Sequence, residues 1–93
     1  MDTSDLAARE VVVHGRVQGV FFRASCQGEA RRRDIAGWVS NEPDGSVRAW
    51  FEGRTGDVEA MCAWCRQGPA GAIVERVDVR DRQPQGLDRF EVR

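Results

Sequence analysis

The sequence predicts an α+β domain in which two helices cover one face of an antiparallel sheet. Short runs rich in β-branched residues alternate with two segments whose apolar residues recur at helical spacing. Several strand-like runs alternate apolar and charged residues, a pattern typical of strands with one buried and one solvated face. The length of 93 residues is that of one domain, so all elements are expected to share one core.

The first half of the chain predicts a strand, a helix and two further strands. Residues 1–8 are polar and are predicted to form a flexible tail, after which REVVVHG has the β-branched density of a strand. Phe22, Cys26 and Ala30 recur every four positions and predict a helix that ends at Asp34. AGWVSN and SVRAWFE predict the second and third strands, and the Pro and Gly of the intervening EPDG favour a tight turn.

The second half predicts a helix followed by two strands. Thr55 is the expected N-cap of this helix, whose apolar stripe consists of Val58, Met61, Cys62 and Cys65. IVERVDVRDR and RFEVR alternate apolar and charged residues, which predicts a fourth strand and a short final one. The resulting order is the βαββαβ arrangement of ferredoxin-like domains, which we assign to residues 9–93.

Charge and composition exclude several classes of partner. Fourteen basic and fifteen acidic residues are interleaved along the chain, unlike the basic footprint of a nucleic-acid-binding or membrane-binding protein. The N-terminal MDTSDLAARE lacks the apolar run of a signal peptide, and no apolar run is long enough to span a membrane. Three cysteines are too few for a disulfide framework and are expected to be reduced. We therefore expect a cytoplasmic monomer with no nucleic-acid or membrane partner.

The stretch GRVQGVFFR, residues 15–23, begins the first helix without any of the side chains that usually cap one. Its first backbone N–H groups are therefore expected to lack partners inside the helix. Together with the positive end of the helix dipole and two glycines that let the backbone curl, these N–H groups favour binding of an anion such as phosphate. Arg23, in the first helical turn, is expected to hold the same anion with its planar fork.

Asn41 is expected at the same edge of the sheet. Strands one and two of a split βαβ unit run parallel, so the loop after the first strand and the end of the second strand emerge together. A neutral amide at this position can hold a water molecule without repelling a phosphate dianion.

VHGRVQGVFFR and GWVSNEPDGSVRAWFEG resemble the two signature motifs of the acylphosphatases, small ferredoxin-like enzymes that hydrolyse acyl phosphates to a carboxylate and inorganic phosphate. The resemblance implies that Arg23 binds the phosphoryl group of a small acyl phosphate and that Asn41 positions the attacking water. It also implies a cradle of backbone N–H groups from Gly15, Arg16, Val17, Gln18, Gly19 and Val20. Because a carboxylate leaves without a general acid, and the loop and Arg23 supply the charge stabilisation, no metal or cofactor is expected. Ser40 departs from the family pattern, in which a longer or basic residue is more common, and is expected to tune rate or substrate preference.

Two other functions remain open at this point. One is a non-catalytic module that binds phosphate or an acyl phosphate, which would need Arg23 but not Asn41. Because the chain ends close to the end of the domain, a free-standing enzyme is expected instead. RNA binding also occurs on this fold, but the sequence lacks a basic sheet with clearly exposed aromatic residues. His14 is expected to be structural, and the C-x-x-C pair Cys62 and Cys65 is expected to pack in the core.

Overall fold

Five strands and two helices form the domain in the order that the sequence predicts. The computed structural model describes residues 5–93. The elements, in chain order, are β1 (Leu6–Arg16), α1 (Phe22–Arg32), β2 (Ala36–Asn41), β3 (Val47–Arg54), α2 (Thr55–Gln67), β4 (Ile73–Arg82) and β5 (Phe90–Val92). Neither helix in this part of the chain has the length and apolar character needed to cross a bilayer.

The sheet has the strand order β4-β1-β3-β2-β5. β3 is antiparallel to both β1 and β2, so β1 and β2 run parallel to each other with β3 between them. β5 is parallel to β2, which makes the sheet mixed and refines the purely antiparallel sheet expected from the sequence. The α+β ferredoxin-like class is confirmed, and the ends of β1 and β2 lie at one edge of the sheet.

Both helices cover one face of the sheet. Val11, Ala49 and Val39 lie side by side on β1, β3 and β2 and are fully buried. They belong to the same core cluster as Phe22 and Met61, which come from α1 and α2. The side chains at the alternate strand positions form the opposite, open face, most of whose residues are polar or aromatic. The alternation of apolar and polar residues in the strands thus reports the two faces correctly.

The end of β1 is shaped by an irregularity in its pairing with β4. The register shifts between His14 and Gly15, and Gly15 has a φ of 128°. A Cβ atom at this glycine would lie 2.1 Å from the carbonyl oxygen of Ile73, so no larger residue fits without moving the backbone. Such a bulge bends a strand and redirects the chain beyond it. Here it directs the chain from β1 into the loop that precedes α1.

Three details of the sequence prediction are wrong. Leu6 to Ala8 pair with β3, so these residues of the predicted tail belong to β1, while residues 1–4 of that tail lie outside the described residues. α1 ends at Arg32 instead of Asp34, because Asp34 has a φ of 54° and the N–H of Ile35 bonds back to the Ala30 carbonyl oxygen.

The third concerns the start of α2. Thr55 is the first residue of this helix and not its N-cap, which is Arg54 and makes no side-chain hydrogen bond. The Thr55 hydroxyl instead donates to the carbonyl oxygen of Asp5, 2.8 Å away, and so ties the start of β1 to α2.

The connection from β4 to β5 passes over the open face of the sheet. The Glu52 carboxylate on β3 is buried and accepts hydrogen bonds of 2.9–3.0 Å from the backbone N–H groups of Gln85, Gly86 and Leu87. It also accepts one of 2.8 Å from the Trp50 indole. Burial raises the pKa of Glu52, but these hydrogen bonds outweigh it and hold the pKa below its ordinary value. Glu52 thereby holds the segment that leads into β5.

Candidate active site

The loop between β1 and α1 has an alternating backbone conformation. Gly19 and Phe21 have φ values of 76° and 63°, while Val20 between them keeps a negative φ. Such alternation turns successive backbone N–H groups toward a common point, which makes an anion-binding concavity. Of the described residues 5–93, none accepts a hydrogen bond from the backbone N–H groups of residues 17–24. The loop therefore presents a set of donors whose bonding capacity the protein itself does not use.

The start of α1 adds to this set. Its N-cap is Phe21, which makes no side-chain capping hydrogen bond, and its first turn contains no acidic residue. The first backbone bond of the helix runs from the N–H of Ser25 to the carbonyl oxygen of Phe21, at 3.0 Å. The absence of a capping side chain, which the sequence predicts, is confirmed, and the positive end of the helix dipole faces the loop without a neutralising carboxylate.

Arg23 is half-buried in the first turn of α1. Its Nη1 donates a hydrogen bond of 2.8 Å to a main-chain oxygen of Arg93, just beyond β5. The backbone N–H of Arg93 in turn donates to the carbonyl oxygen of Val39 on β2, and the Arg93 guanidinium lies 4.9 Å from the centre of the Trp38 ring. The guanidinium of Arg23 is thus oriented by the end of the sheet, and its other nitrogen donors have no bond to the described residues.

Asn41 is the last residue of β2, where it pairs with Val47. Its side-chain oxygen, Oδ1, is buried and has no hydrogen-bond partner within the described part of the chain. A buried polar atom without a partner costs stability, and such atoms in native proteins are often explained by a ligand, an ion or a water molecule. The Asn41 amide therefore has unused hydrogen-bonding capacity next to the loop.

A pocket of about 350 Å³ brings these groups together. It is lined by Val17, Gly19, Phe21, Phe22, Arg23, Ala24, Gln27, Asn41 and Val92. Arg23 is the only charged residue among these described residues, so the pocket favours an anion. Of the eight site residues that the sequence predicts, four line the pocket, namely Val17, Gly19, Arg23 and Asn41.

The other four predicted residues lie around it. Gly15 and Arg16 are still part of β1 and pair with Val74 and Ile73 of β4, so the stretch of unbonded N–H groups begins only after them. Val20 packs against the core beside the pocket. The parallel arrangement of β1 and β2 accounts for the meeting of loop and strand end that the sequence predicts.

Gln18 fixes the loop to the turn that follows Asn41. Its side-chain Nε2 donates to the carbonyl oxygens of Glu42 and Ser46, at 2.8 and 2.9 Å. The turn is closed internally by Asp44, whose carboxylate accepts hydrogen bonds from the N–H and the hydroxyl of Ser46. The sequence predicts a role only for the backbone of Gln18, so this side-chain contact is an additional finding. The Gln18 side chain thereby holds the loop and the turn after Asn41 in a fixed arrangement.

Phe21 has two features that sequence reasoning missed. Its φ and ψ of 63° and 27° are left-handed, a conformation that costs a residue with a Cβ about 1–2 kcal/mol. Its side chain is 83% exposed, so little packing compensates for this strain. Backbone strain that is not offset by packing of the side chain is often found at binding sites.

His14 lies outside the pocket. Its Nε2 is 3.1 Å from a carboxylate oxygen of Asp78 and 3.2 Å from Nη2 of Arg76, on the open face of the sheet. The structural role predicted for His14 fits this position. Ser40 also lies outside the pocket, and its hydroxyl donates to the Glu42 carboxylate at 2.9 Å. A contribution of Ser40 to rate or preference remains a prediction.

The three cysteines are buried free thiols. Burial raises the pKa of Cys26, Cys62 and Cys65, so these groups stay protonated at neutral pH. Thiols of this kind are poor nucleophiles and poor metal ligands. The interpretation of Cys62 and Cys65 as core residues is confirmed.

Comparison with known proteins agrees with the geometry. The family model described as Acylphosphatase matches residues 9–92. A relative named acylphosphatase from a Nocardioides species is 54% identical over 93 residues, which cover 99% of this chain and 94% of the relative.

Two solved structures are similar over nearly their whole length. An acylphosphatase from Coxiella burnetii superimposes with a TM-score of 0.95 at 30% identity, covering 100% of this chain and 98% of that one. An acylphosphatase from Bacillus subtilis gives a TM-score of 0.89 at 34% identity, covering 92% and 97%.

Proposed function

The chain belongs to the acylphosphatase family, and from this premise we propose that it hydrolyses acyl phosphates to a carboxylate and inorganic phosphate without a metal ion. The observation that carries the proposal is the pocket in which unbonded backbone N–H groups, the Arg23 guanidinium and the unpartnered Asn41 amide converge. The first two are suited to a phosphoryl group and the third to a water molecule.

The phosphoryl group is bound by the loop and by Arg23. Backbone N–H groups from Val17 to Val20 and at the start of α1 donate to its nonbridging oxygens, and Arg23 supplies the positive charge. This assignment extends the predicted cradle into the helix and gives Gly15 and Arg16 a lesser part, because both still pair within the sheet. In phosphoryl transfer the charge on these oxygens must be stabilised in the transition state, which is the task that a metal ion performs in many other enzymes.

Asn41 positions the attacking water. The water oxygen attacks phosphorus in line with the leaving carboxylate, the bond between phosphorus and the acyl oxygen breaks, and its electron pair remains on the carboxylate. Asn41 orients the water by hydrogen bonding through its side-chain amide, but a neutral amide is too weak a base to take its proton. The proton passes to a phosphoryl oxygen, so the products are the carboxylate and inorganic phosphate.

The leaving group explains why the site works without a general acid. A carboxylate has a conjugate-acid pKa of about 4, so it departs as a stable anion at neutral pH. A histidine or a pair of carboxyl groups is therefore not required, in keeping with the position of His14 away from the pocket. Positioning and charge stabilisation supply the rate enhancement.

The test is phosphate release from benzoyl phosphate by the purified chain in excess chelator. We expect turnover to persist at an unchanged rate when the chelator is present. Turnover that disappears on chelation and returns with a divalent cation would contradict metal independence but leave the hydrolase in place. Binding of inorganic phosphate without any turnover would instead show a phosphate-binding module, the alternative function considered above.

A further inference from the structure

We propose that the pocket selects acyl phosphates with an apolar, aromatic acyl group, and that Phe21 is the residue that makes this selection. The inference rests on the proposed function, because it concerns the second half of the same substrate.

The residues that line the pocket are of two chemical kinds. Gly19, Arg23 and Asn41 supply the groups that suit the phosphoryl end of the substrate. Phe21, Ala24 and Val92 line the same pocket without any polar side-chain atom. Once the polar groups bind the phosphoryl group, the apolar side chains remain to contact the acyl group attached to it. No acidic or basic side chain among the lining residues of the described chain is left to bind a charged acyl group.

Phe21 has no structural role that explains its side chain. A single exposed aromatic residue is common on protein surfaces, but Phe21 also has a left-handed backbone, which Gly or Asn adopts at lower cost. Because 83% of the side chain is exposed, the core gains almost nothing from its aromatic ring. Phe21 is the N-cap of α1, so its backbone position next to the loop is well defined, and its side chain lines the pocket.

An aromatic ring in the lining of the pocket favours a particular class of acyl group. Aromatic pairs attract each other beyond the effect of area burial, whereas an acetyl or carbamoyl group offers little surface to contact. A pocket of about 350 Å³ lies at the small end of ligand-binding pockets and suits a one-ring acyl phosphate. The geometry thus points to benzoyl phosphate and similar compounds over acetyl phosphate and carbamoyl phosphate.

The test compares the kcat/KM ratio of benzoyl phosphate to acetyl phosphate in wild type, Phe21→Asn and Phe21→Leu. Asn suits the left-handed backbone but removes the apolar surface, while Leu keeps much of that surface. We expect wild type to prefer benzoyl phosphate by about tenfold or more, Phe21→Asn to lose most of this preference, and Phe21→Leu to keep part of it. Leu6→Asn is the matched control, since Leu6 is an exposed apolar residue at the far end of β1.

Inhibition by inorganic phosphate separates selection from damage to the cradle. The inhibition constant for phosphate should be the same in wild type and Phe21→Asn, because phosphate has no acyl group to contact Phe21. A preference unchanged in Phe21→Asn, or a loss of preference in Leu6→Asn as well, would overturn the inference while hydrolysis itself stands. Weaker phosphate inhibition in Phe21→Asn would overturn it too, since Phe21 would then act through the cradle. Failure of wild type to hydrolyse either substrate would contradict the proposed function itself.

Discussion

Arg23 on α1 donates a hydrogen bond of 2.8 Å to a main-chain oxygen of Arg93, a residue 70 positions further along the chain. The contact joins the beginning of the first helix to the end of the sheet, and it uses only one of the five guanidinium N–H donors. The other donors are available to a phosphoryl group. Arg23 is thus held in one orientation before any substrate binds, which lowers the entropy cost of forming the transition state.

Replacement of Arg23 should abolish most of the activity. We expect Arg23→Ala to lower kcat/KM for benzoyl phosphate by about a thousandfold or more, because it removes the charge that stabilises the transferring group. Arg23→Lys keeps the charge but loses the planar fork and should recover only a small part. Arg31→Ala, at an exposed arginine of the same helix, is the control and should retain wild-type kinetics. Near-normal turnover by Arg23→Ala would contradict the assigned role.

Asn41 should affect turnover far more than stability. Because its Oδ1 is buried without a partner, Asn41→Ala breaks no bond of that oxygen and should change the free energy of unfolding by less than about 1 kcal/mol. The same substitution should lower kcat by about 10²–10³ through loss of the oriented water, with little change in inhibition by phosphate.

The carboxylate variant provides a second comparison at this position. Asn41→Asp should weaken phosphate inhibition as well, because its carboxylate repels the anion. An Asn41→Ala variant that unfolds readily but turns over normally when folded would show a structural role instead. Steady-state kinetics and urea unfolding on the same preparations distinguish the two.

Gln18 should act as a positioning residue. Gln18→Ala removes both hydrogen bonds to the turn after Asn41, so the loop and Asn41 are no longer held in one arrangement. We expect kcat/KM to fall by about 10–100-fold, since small misplacements of reacting groups have effects of this size. Gln18→Glu should be worse, because a carboxylate would face two carbonyl oxygens. Gln67→Ala at the exposed end of α2 is the control, and an equal loss there would indicate a general effect on the fold.

Two glycines close in sequence should respond in opposite ways to alanine. Neither position has an atom within 4 Å of an added Cβ, so steric clash plays no part in the comparison. Gly19 has a φ of 76°, and Gly19→Ala should destabilise the protein by about 1–2 kcal/mol and weaken phosphate binding. Gly28 lies inside α1, and Gly28→Ala should stabilise it by about 0.5–1 kcal/mol. Chemical denaturation measures both, and destabilisation by Gly28→Ala would contradict this explanation.

The contribution of Glu52 to stability should depend on pH. Its pKa is lowered in the folded state, so its contribution is fully present above the pKa of an unfolded glutamate and is lost as pH falls through the lower folded value. Glu52→Gln should therefore lower the free energy of unfolding by about 1–3 kcal/mol at pH 7. The difference from wild type should shrink as pH falls from the pKa of an unfolded glutamate, about 4.3, through the lower folded value, because wild-type Glu52 is then protonated as well. Glu59→Gln, at an exposed position on α2, is the control variant.

Local patterns were sufficient to predict much of the fold. The bounds of β2 and β4 agree with the runs AGWVSN and IVERVDVRDR, because alternating strands next to turns leave little freedom for their ends. The cores of both helices were predicted from stripes at helical spacing. The parallel course of β1 and β2, which the predicted topology requires, is sufficient to predict that Arg23 and Asn41 lie at one edge of the sheet.

Features that depend on distant contacts could not be predicted in this way. The start of β1 at Leu6 depends on pairing with β3. The Thr55 hydroxyl does not cap α2, because it donates to a carbonyl oxygen 50 positions away. The role of Glu52 requires knowledge that residues 85–87 pass over β3. The left-handed conformation of Phe21 runs against the preference of the residue itself, so no local rule predicts it.

The pairing of Asn41 with Val47 has a consequence for how preparations of this protein are judged. Side chains alternate between the two faces of a sheet, so a slip of β2 by one residue against β3 would carry Asn41 to the open face and bring a neighbour into its place. Such a molecule would retain the helices, the strands and most of the circular dichroism of the native protein. Specific activity would then report only the molecules in correct register. A specific activity lower than the folded fraction from circular dichroism predicts would reveal molecules with a misaligned β2.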